Sequence, residues 1–282
     1  MQVVHEIQEL RAILRRAGRD GGLGLVPTMG ALHEGHLSLL RRARKENRLV
    51  AASIFVNPLQ FGENEDFAAY PRHEEQDLAM LESVGCDLVL VGQQQDLYPE
   101  GFATEIRIDA PFVHELEGAQ RPGHFNGVAT VVSKLFLLFS PTRAYFGLKD
   151  LQQLALVQQL VRDLGFDLEI VPCEVVREAD GLALSSRNRF LNAELRAKAP
   201  RLQQSLQAAR ALAQSKGCER EELEALVRER LEPDFEVEYV DVRSVPGFLP
   251  VAAPVDHGRI VVTARLGGVR LLDNLELGEA SS

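Results

Sequence analysis

His33 and His36 lie three residues apart in the segment PTMGALHEGH, which covers residues 27–36. The segment joins an apolar run that predicts a strand to a helical pattern, so it would place both imidazoles at the start of a helix. Backbone N–H groups and the positive end of the helix dipole favour an anion there, and two imidazoles could add donors to a phosphate group. Such a pair is nevertheless often incidental, or half of a metal site, although the H-E-x-x-H spacing of zinc enzymes is missing. The pair therefore indicates phosphate chemistry without deciding it.

Lys149, in the segment GLKD, again lies between a predicted strand and a predicted helix. Its ammonium group could supply a point charge for a phosphate, although an isolated lysine at a helix start more commonly faces water. A third segment, DGLALSSRN at residues 180–188, follows an Asp-Gly turn with the polar side chains of Ser185, Ser186 and Arg187. This loop could close over a triphosphate, but serine and arginine in polar loops usually face the solvent.

The elements that would position these side chains follow an alternation of strand and helix through about residue 175. Strands are predicted at residues 23–26, 49–56, 87–91, 144–146 and 167–171. Helices are predicted at residues 74–84, 126–138 and 151–164, after a first helix with the apolar stripe Leu37, Leu40 and Ala43. Residues 27–35, between the first strand and the first helix, are predicted as a loop. The alternation favours a Rossmann-like, doubly wound parallel sheet, an α/β fold that binds its ligand at the carboxyl ends of the strands.

The composition changes after about residue 190. Residues 192–214 and 219–231 are rich in strong helix formers, and residues 235–242 and 259–264 alternate like strands of a small antiparallel sheet. This pattern predicts a smaller C-terminal α+β domain. We therefore expect a Rossmann-like domain for nucleotide and substrate at residues 1–175, and a second domain at residues 176–282 that starts with the Ser-Ser-Arg loop.

The overall composition argues against several classes of function. With 282 residues, of which 45% are hydrophobic, the chain can bury a sizeable core, and its net charge of −10 argues against coating nucleic acid. We see no export signal and no apolar run long enough to cross a bilayer, so we expect a cytoplasmic protein without membrane or nucleic-acid partners. Cys86, Cys173 and Cys218 are far apart and lack metal-site spacing, so we expect thiols rather than disulfides or a zinc site.

Several segments resemble a known family. The sequence MGALHEGH at residues 29–36 resembles the His-x-Gly-His signature of the nucleotidylyltransferase superfamily, and LSSR at residues 184–187 is similar to that superfamily's mobile Lys-Met-Ser-Lys-Ser loop. Longer matches narrow the resemblance to the pantothenate synthetase (pantoate–β-alanine ligase) family over nearly the whole chain. They are SIFVNPLQF at 53–61, RPGHF at 121–125, KD and QQ within 149–153, READGLALSSRN at 177–188 and LGGVRLLDN at 266–274. One departure is Leu148, where the family often has Glu or Gln, and we expect this side chain to face away from the phosphates.

The resemblance implies an ATP-dependent ligase that joins (R)-pantoate to β-alanine through a pantoyl adenylate and releases AMP and pyrophosphate. The catalytic residues that it implies, with His36 as a proton donor, are His33, His36, Lys149, Ser185, Ser186 and Arg187. The ATP-binding residues that it implies are Met29, Gly30, Ala31, Leu32, His33, Glu34, Gly35, His36, Gly147, Leu148, Lys149, Asp150, Val176, Leu184, Ser185, Ser186 and Arg187.

For the acid, the resemblance implies that the amides of Gln60 and Gln153 bind pantoate. Asn57 could help at either substrate. Side chains that could pack against the branched carbon of pantoate are Pro27, Met29, Phe61, Val131 and Val132. The two valines could equally be ordinary helix core. Mg²⁺ is expected mainly on the ATP phosphate oxygens, with Asp77 and Asp150 as candidate protein contacts. The family resemblance also implies a homodimer.

Two alternatives stay open. Another nucleotidylyltransferase could act on a different small acid, or attach a nucleotide to a phosphorylated acceptor and keep it in the product. Such an acceptor would need a further anion site, whereas Gln60 and Gln153 are neutral. The other alternative is a regulator that binds nucleotide and has lost turnover, because a doubly wound fold alone does not imply catalysis. The complete set of histidines, Lys149 and Arg187 argues against it.

Overall fold

A computed structural model describes residues 1–18, 22–62, 67–68, 70–216, 218–251 and 258–278 of the chain. The chain groups into two units, one of residues 1–148 and 152–174 and the other of residues 149–151 and 175–282. Residues 149–151, which the sequence-based division placed in the first domain, group with the second unit.

The described residues of the first unit form a sheet of six strands. The strands are β1 (Gln2–Val4), β2 (Leu23–Thr28), β3 (Leu49–Ile54), β4 (Leu88–Val91), β5 (Arg143–Gly147) and β6 (Glu169–Cys173). The helices are α1 (Ile7–Ala17), α2 (Glu34–Glu46), α3 (Glu74–Ser83), α4 (Gln94–Leu97), α5 (Leu116–Gln120), α6 (His124–Phe139) and α7 (Leu151–Leu164), and a 3₁₀ turn covers Pro58–Gln60. The strands lie in the order β1-β4-β3-β2-β5-β6, and all neighbours are parallel. The predicted doubly wound parallel sheet is therefore confirmed.

The direction of the strand order reverses between β2 and β5. From β2 the sheet grows through β3 to β4 on one side, and through β5 to β6 on the other. Ligands of doubly wound sheets bind outside the carboxyl ends of the strands at such a reversal. Strand β2 ends at Thr28 and β5 ends at Gly147, so residues 29–36 leave the sheet where a ligand is expected.

Helix α2 is fixed on the sheet by its apolar stripe. Strand β2 is buried on both faces, as a central parallel strand requires, and Leu25 and Val26 are 0% exposed. The buried residues of α2 are Leu37, Leu40 and Ala43, as the helical spacing predicts. They pack in a core with Val26, which fixes the rotation of the helix about its axis.

Several element boundaries differ from the prediction. The loop predicted at residues 27–35 is shorter, because β2 pairs with β3 through Thr28 and α2 already begins at Glu34. The helix predicted from residue 126 begins at His124. The sequence predicts no element over β1 and α1. Strand β1 has three residues, which is too short to show a periodic pattern.

The described part of the second unit contains an antiparallel sheet of three strands beside helices. The strands are β7 (Phe235–Ser244), β8 (Gly258–Leu266) and β9 (Val269–Glu276), in that order, and the helices are α8 (Ala193–Lys198), α9 (Arg201–Lys216) and α10 (Arg220–Leu231). Alternate strand residues, such as Val240 and Val242, share a core with Leu206 and Val227 of the helices. This confirms the predicted small α+β region.

One predicted helix, at residues 192–214, is two helices in the structure. Helix α8 ends at Lys198 and α9 begins at Arg201. The break falls at Pro200, because proline has no N–H to donate and its ring crowds the preceding turn. None of the described helices is both long enough and apolar enough to cross a membrane.

Candidate active site

The loop after β2 is held by one buried carboxylate. Asp77, on α3, accepts hydrogen bonds from the backbone N–H groups of Ala31 and Leu32, each at 2.8 Å. Gly30 and Ala31 have φ angles of 79° and 50°, a left-handed backbone that costs energy for any residue with a Cβ. A Cβ at position 30 would lie 2.9 Å from the Asp77 carboxylate. The carboxylate therefore holds the bent path that leads from β2 to His33.

The two histidines cap helix α2 with one ring nitrogen each. The Nδ1 atom of His33 accepts the N–H of Gly35 at 3.1 Å, and the Nδ1 atom of His36 accepts the N–H of His33 at 3.3 Å. Because each Nδ1 accepts a hydrogen bond, each neutral ring carries its proton on Nε2. The ring centroids lie 4.1 Å apart, so two donors are close together at a helix N-terminus. Glu34, the first residue of α2, is exposed and pairs with Arg41, away from this capping pattern.

Asn57 and Gln60 form a hydrogen-bonded cluster after β3, and both are buried. The Nδ2 group of Asn57 donates to Gln60 Oε1 at 3.1 Å, and Gln60 Nε2 lies 3.0 Å from Met29 Sδ. The hydroxyl of Tyr98 donates to Asn57 Oδ1 at 2.8 Å, and burial raises the pKa of Tyr98, so this hydroxyl keeps its proton. Gln60 Oε1 is already paired and a thioether is a weak acceptor, so Gln60 can offer N–H groups to a ligand. Such donors suit a carboxylate or a hydroxyl.

Helix α6 approaches this cluster closely at Gly127. A Cβ at that position would lie 2.1 Å from the carbonyl oxygen of Leu59, so only glycine fits. At the first residue of the helix, His124 Nδ1 lies 2.9 Å from the carbonyl oxygen of Gln60, and Arg121 donates to the same oxygen at 3.3 Å. His124 and Arg121, which lies just before the helix, thereby hold the main chain of the turn that carries Gln60.

The other candidate pantoate residues are placed less tightly. Gln153 is half-buried in the first turn of α7, and Pro27 and Phe61 are also half-buried. Val131 and Val132 belong to the buried residues of α6, as expected for helix core. A role of these five side chains beside pantoate stays a prediction.

Lys149, in the second unit, is fixed through its main chain. Its carbonyl oxygen accepts a hydrogen bond from Asn274 Nδ2 at 3.0 Å. Its ammonium group lies 3.6 Å from the carboxylate of Asp150, and its side chain is 20% exposed. Leu148 is buried in the first unit, so an apolar residue fits its surroundings. Gly147, the last residue of β5, precedes it.

The serine and arginine candidates follow a tight hairpin. The N–H of Leu184 donates to the carbonyl of Val176 at 3.0 Å and closes this hairpin. Ser185 and Ser186 are half-buried and Arg187 is exposed. The hydroxyl oxygen of Ser185 accepts the N–H of Arg187 at 3.2 Å, which starts a 3₁₀ turn. The structure thus places three polar side chains together at the start of one 3₁₀ turn, and their contact with phosphates stays a prediction.

The carboxylates suggested for Mg²⁺ differ in how they are used. Both oxygens of Asp77 accept backbone N–H groups, whereas Asp150 is exposed and pairs only loosely with Lys149. Over the part of the chain that the structure describes, no three His, Cys, Asp or Glu side chains cluster as a metal site. This donor set fits an ion carried mainly by phosphate oxygens, with one carboxylate as a further contact.

Sequence reasoning missed the supporting roles of Asp77, Tyr98 and Asn274. Each acts on a partner far along the chain: 46 residues for Asp77 and Ala31, 41 for Tyr98 and Asn57, and 125 for Asn274 and Lys149. A local sequence pattern does not predict hydrogen bonds between residues so far apart in the chain. The match of residues 266–274 to a family segment was the available signal for Asn274.

Comparison with known proteins gives matches along nearly the whole chain. A model of the family described as pantoate-beta-alanine ligase matches residues 2–276. A pantothenate synthetase of Thermus thermophilus is 50% identical over 281 residues, which are 98% of this chain and 99% of that protein. A crystal structure of pantothenate synthetase from Thermus thermophilus has a TM-score of 0.93 at 49% identity and covers 99% of this chain and 100% of that one. A crystal structure of pantoate-beta-alanine ligase from Francisella tularensis, complexed with beta-gamma ATP and beta-alanine, has a TM-score of 0.82 at 34% identity and covers 98% of each chain.

Proposed function

Because this chain belongs to the pantoate-beta-alanine ligase family, we propose that it joins pantoate to β-alanine with ATP as the driving substrate. It is a ligase that forms a C–N bond and makes pantothenate. In a chain of this family, the observation that supports this function is the histidine pair at the start of α2. The amide cluster of Asn57 and Gln60 is the second part of the observation. The pair offers donors to a phosphate, and the cluster offers donors to a small acid. The relative crystallised with an ATP compound and β-alanine supports ATP and β-alanine as substrates.

In the first step, a carboxylate oxygen of pantoate attacks the α-phosphorus of ATP. The bond from this phosphorus to the oxygen that bridges to the β-phosphate breaks, pyrophosphate leaves, and pantoyl adenylate forms. A carboxylate needs no base, so the protein has to align the reactants and stabilise negative charge on the phosphoryl oxygens. The Nε2–H groups of His33 and His36 and the N-terminus of α2 are suited to this task. His36 is the proton donor, as the family resemblance implies.

In the second step, the amine of β-alanine attacks the acyl carbon of the adenylate. The bond between this carbon and the phosphate oxygen breaks, AMP leaves, and the amine nitrogen loses a proton to water. The N–H groups of Gln60, and those proposed for Gln153, hold pantoate through both steps. Because a mixed anhydride hydrolyses in water, the adenylate must stay bound until the amine arrives.

The remaining groups are part of the same proposal. Lys149, Ser185, Ser186 and Arg187 bind phosphate oxygens. Asp150 would be the protein contact of a Mg²⁺ ion bound to the ATP phosphates, and the ion would neutralise phosphate charge there. The enzyme works as a homodimer in the cytoplasm, which sedimentation and cell fractionation would test.

The test of this function is an incubation with Mg-ATP, pantoate and β-alanine, with each omitted in turn. We expect AMP, pyrophosphate and pantothenate from the complete mixture, and pyrophosphate release from ATP and pantoate without β-alanine. A nucleotide retained in the final product would instead identify a nucleotidylyltransferase of another kind. Nucleotide binding without any pyrophosphate release would identify a regulator.

A further inference from the structure

The segment LGGVRLLDN ends in two buried polar residues that the proposed mechanism does not use. Asp273 and Asn274 are consecutive on β9, and each is 1% exposed. Consecutive side chains of a strand point to opposite faces, so these two need partners on both sides of the sheet. An unpaired polar group at such burial would be strongly destabilising.

On one side, Asp273 holds the hairpin that leads to Ser185. The guanidinium of Arg177 donates to both carboxylate oxygens of Asp273, at 2.6 and 2.9 Å. It also donates to the carbonyl oxygens of Gly181 and Asn274, each at 3.1 Å. Arg177 lies near the start of the hairpin and Gly181 lies in its turn. One ion pair therefore ties both parts of the hairpin to β9.

On the other side, Asn274 holds the main chain of Lys149. Its Nδ2 group donates to the Lys149 carbonyl at 3.0 Å, while its Oδ1 atom accepts the Nε–H of Arg259 at 2.9 Å. A guanidinium can only donate, so the Arg259 bond sets the orientation of the amide and leaves its NH₂ group for Lys149. The backbone N–H of Asn274 donates to Asp273 Oδ1 at 2.7 Å, which couples the two residues.

We infer that Asp273 and Asn274 are positioning residues, which fix from one strand the backbone of Lys149 and the hairpin before Ser185. This inference rests on the proposed function, because it assumes that Lys149 contacts a phosphate. The ammonium of a lysine lies at the end of a flexible four-carbon stem. Its position is therefore only as well defined as the backbone that carries it, and the Asn274 amide fixes that backbone before ATP binds.

The decisive variant is Asn274→Asp. It keeps an oxygen for Arg259 but replaces the NH₂ group with an acceptor that faces the Lys149 carbonyl. In a single turnover at saturating Mg-ATP and pantoate, pyrophosphate release should slow by about 10- to 100-fold, the range for a small misplacement of a catalytic group. Transfer from pantoyl adenylate supplied ready-made should change by less than about twofold, because pyrophosphate has already left.

The matched control is Asn47→Asp. Asn47 is also a buried asparagine, and its Nδ2 group donates to the carbonyl oxygen of Ala43 at 2.8 Å. It caps the far end of α2. That end lies about 20 Å from His33 at the rise of an α-helix. This variant should lose thermal stability and keep both half-reaction rates.

A double-mutant cycle shows whether Asn274 acts through Lys149. In a Lys149→Met background, Asn274→Asp should change the rate of pyrophosphate release by less than about twofold, because the group that it positions is gone. The inference would be overturned if Asn274→Asp slowed pyrophosphate release by the same factor in both backgrounds. It would also be overturned if Asn274→Asp and Asn47→Asp released pyrophosphate at equal rates. Asn274→Ala, carried through the same cycle, gives the answer if the first variant does not fold. Absence of pyrophosphate release from the unaltered protein would instead count against the proposed function itself.

Discussion

We propose two tasks for His36 that use different ring nitrogens. Nδ1 accepts the N–H of His33 and so caps the start of α2, and Nε2–H is the donor proposed for chemistry. If that donor stabilises the α-phosphoryl group as pyrophosphate leaves, His36→Ala should slow adenylate formation by about 10²- to 10³-fold. Transfer from ready-made pantoyl adenylate should suffer less, because the amine attacks the acyl carbon. Two single-turnover assays measure these rates. Equal slowing in both would mean that His36 positions the pantoyl-phosphate portion of the reactants, which is common to the two steps.

The capping task can be separated from the chemical task with His36→Gln. Glutamine at the third position of a helix can accept a backbone N–H, as in the capping box. This variant should therefore keep the melting temperature of the unaltered protein while adenylate formation stays slow. Recovery of the rate together with the melting temperature would show that the cap, and not the imidazole, is what the reaction needs.

Asp77 is the second residue whose role can be decided by one substitution. Asp77→Asn leaves one acceptor for two backbone N–H groups, so the free energy of unfolding should fall by about 1.5–3 kcal/mol. The Mg²⁺ concentration for half-maximal rate should stay the same, because the carboxylate holds the loop and not the ion. Asp150→Asn is the matched control, since this exposed residue should change stability by less than about 0.5 kcal/mol. A raised Mg²⁺ requirement for Asp77→Asn with unchanged stability would restore the metal interpretation.

At the scale of elements, the turn that carries Gln60 depends on how closely α6 packs against it. Gly127→Ala would place a methyl group 2.1 Å from the carbonyl oxygen of Leu59, so the turn or the helix must move. Overpacking of this kind costs about 1–3 kcal/mol of stability. Because Gln60 moves with the turn, the KM for pantoate should rise by about tenfold or more, while the KM for ATP changes less.

Gly62→Ala is the control for this packing argument. Gly62 lies just beyond the same turn, has no positive φ, and a Cβ there meets nothing within 4 Å. Its substitution should leave both the KM for pantoate and the melting temperature unchanged. If the two glycine variants behave alike, the close approach of α6 is not what positions Gln60.

The helices and strands were largely predictable, because the apolar residues of each long element recur with the spacing typical of a helix or a strand. The stripe Leu37, Leu40 and Ala43 predicts α2 and its buried face from spacing alone, and the structure confirms it. Strand β1 was missed, because its pairing with β4 joins residues that are more than eighty positions apart and leaves no local pattern. The break at Pro200 was readable from proline chemistry, but helix-favouring neighbours on both sides outweighed it in the prediction.

The candidate site was predictable only in part, for the same physical reason. The histidine pair and the serine turn are local motifs, and their positions between elements follow from sequence. The residues that hold the loop before the histidine pair, the hairpin before the serine turn and the backbone of Lys149 are Asp77, Asp273 and Asn274. They reach these segments only after the chain has folded. Sequence therefore indicates which groups can do chemistry, and the fold determines which groups hold them.

At the scale of the whole molecule, buried thiols can report how each unit unfolds. Cys86 and Cys173 lie in the first unit and Cys218 lies in the second. All three are thiols, as expected from their spacing, and the structure shows that all three are buried. Burial raises the pKa of Cys86 to about 11 and also raises the pKa of Cys173. At pH 8 the thiolate of Cys86 is therefore about 10²-fold rarer than that of an ordinary cysteine, and the native protein should resist alkylation.

Pantoate should slow alkylation of the buried cysteines, because a ligand that binds only the folded state lowers the unfolded fraction. In mild urea, alkylation then proceeds through transient unfolding, and pantoate at 100 times its Kd should slow modification of Cys86 and Cys173 by about 10²-fold. Peptide mass spectrometry measures each site separately, with acetate at equal concentration as the control anion. Cys218 serves as an internal comparison, since its rate falls by the same factor only where both units unfold together. Unchanged labelling of Cys86 in pantoate would contradict the placement of the acid beside Asn57 and Gln60 in the first unit, because binding there must stabilise that unit.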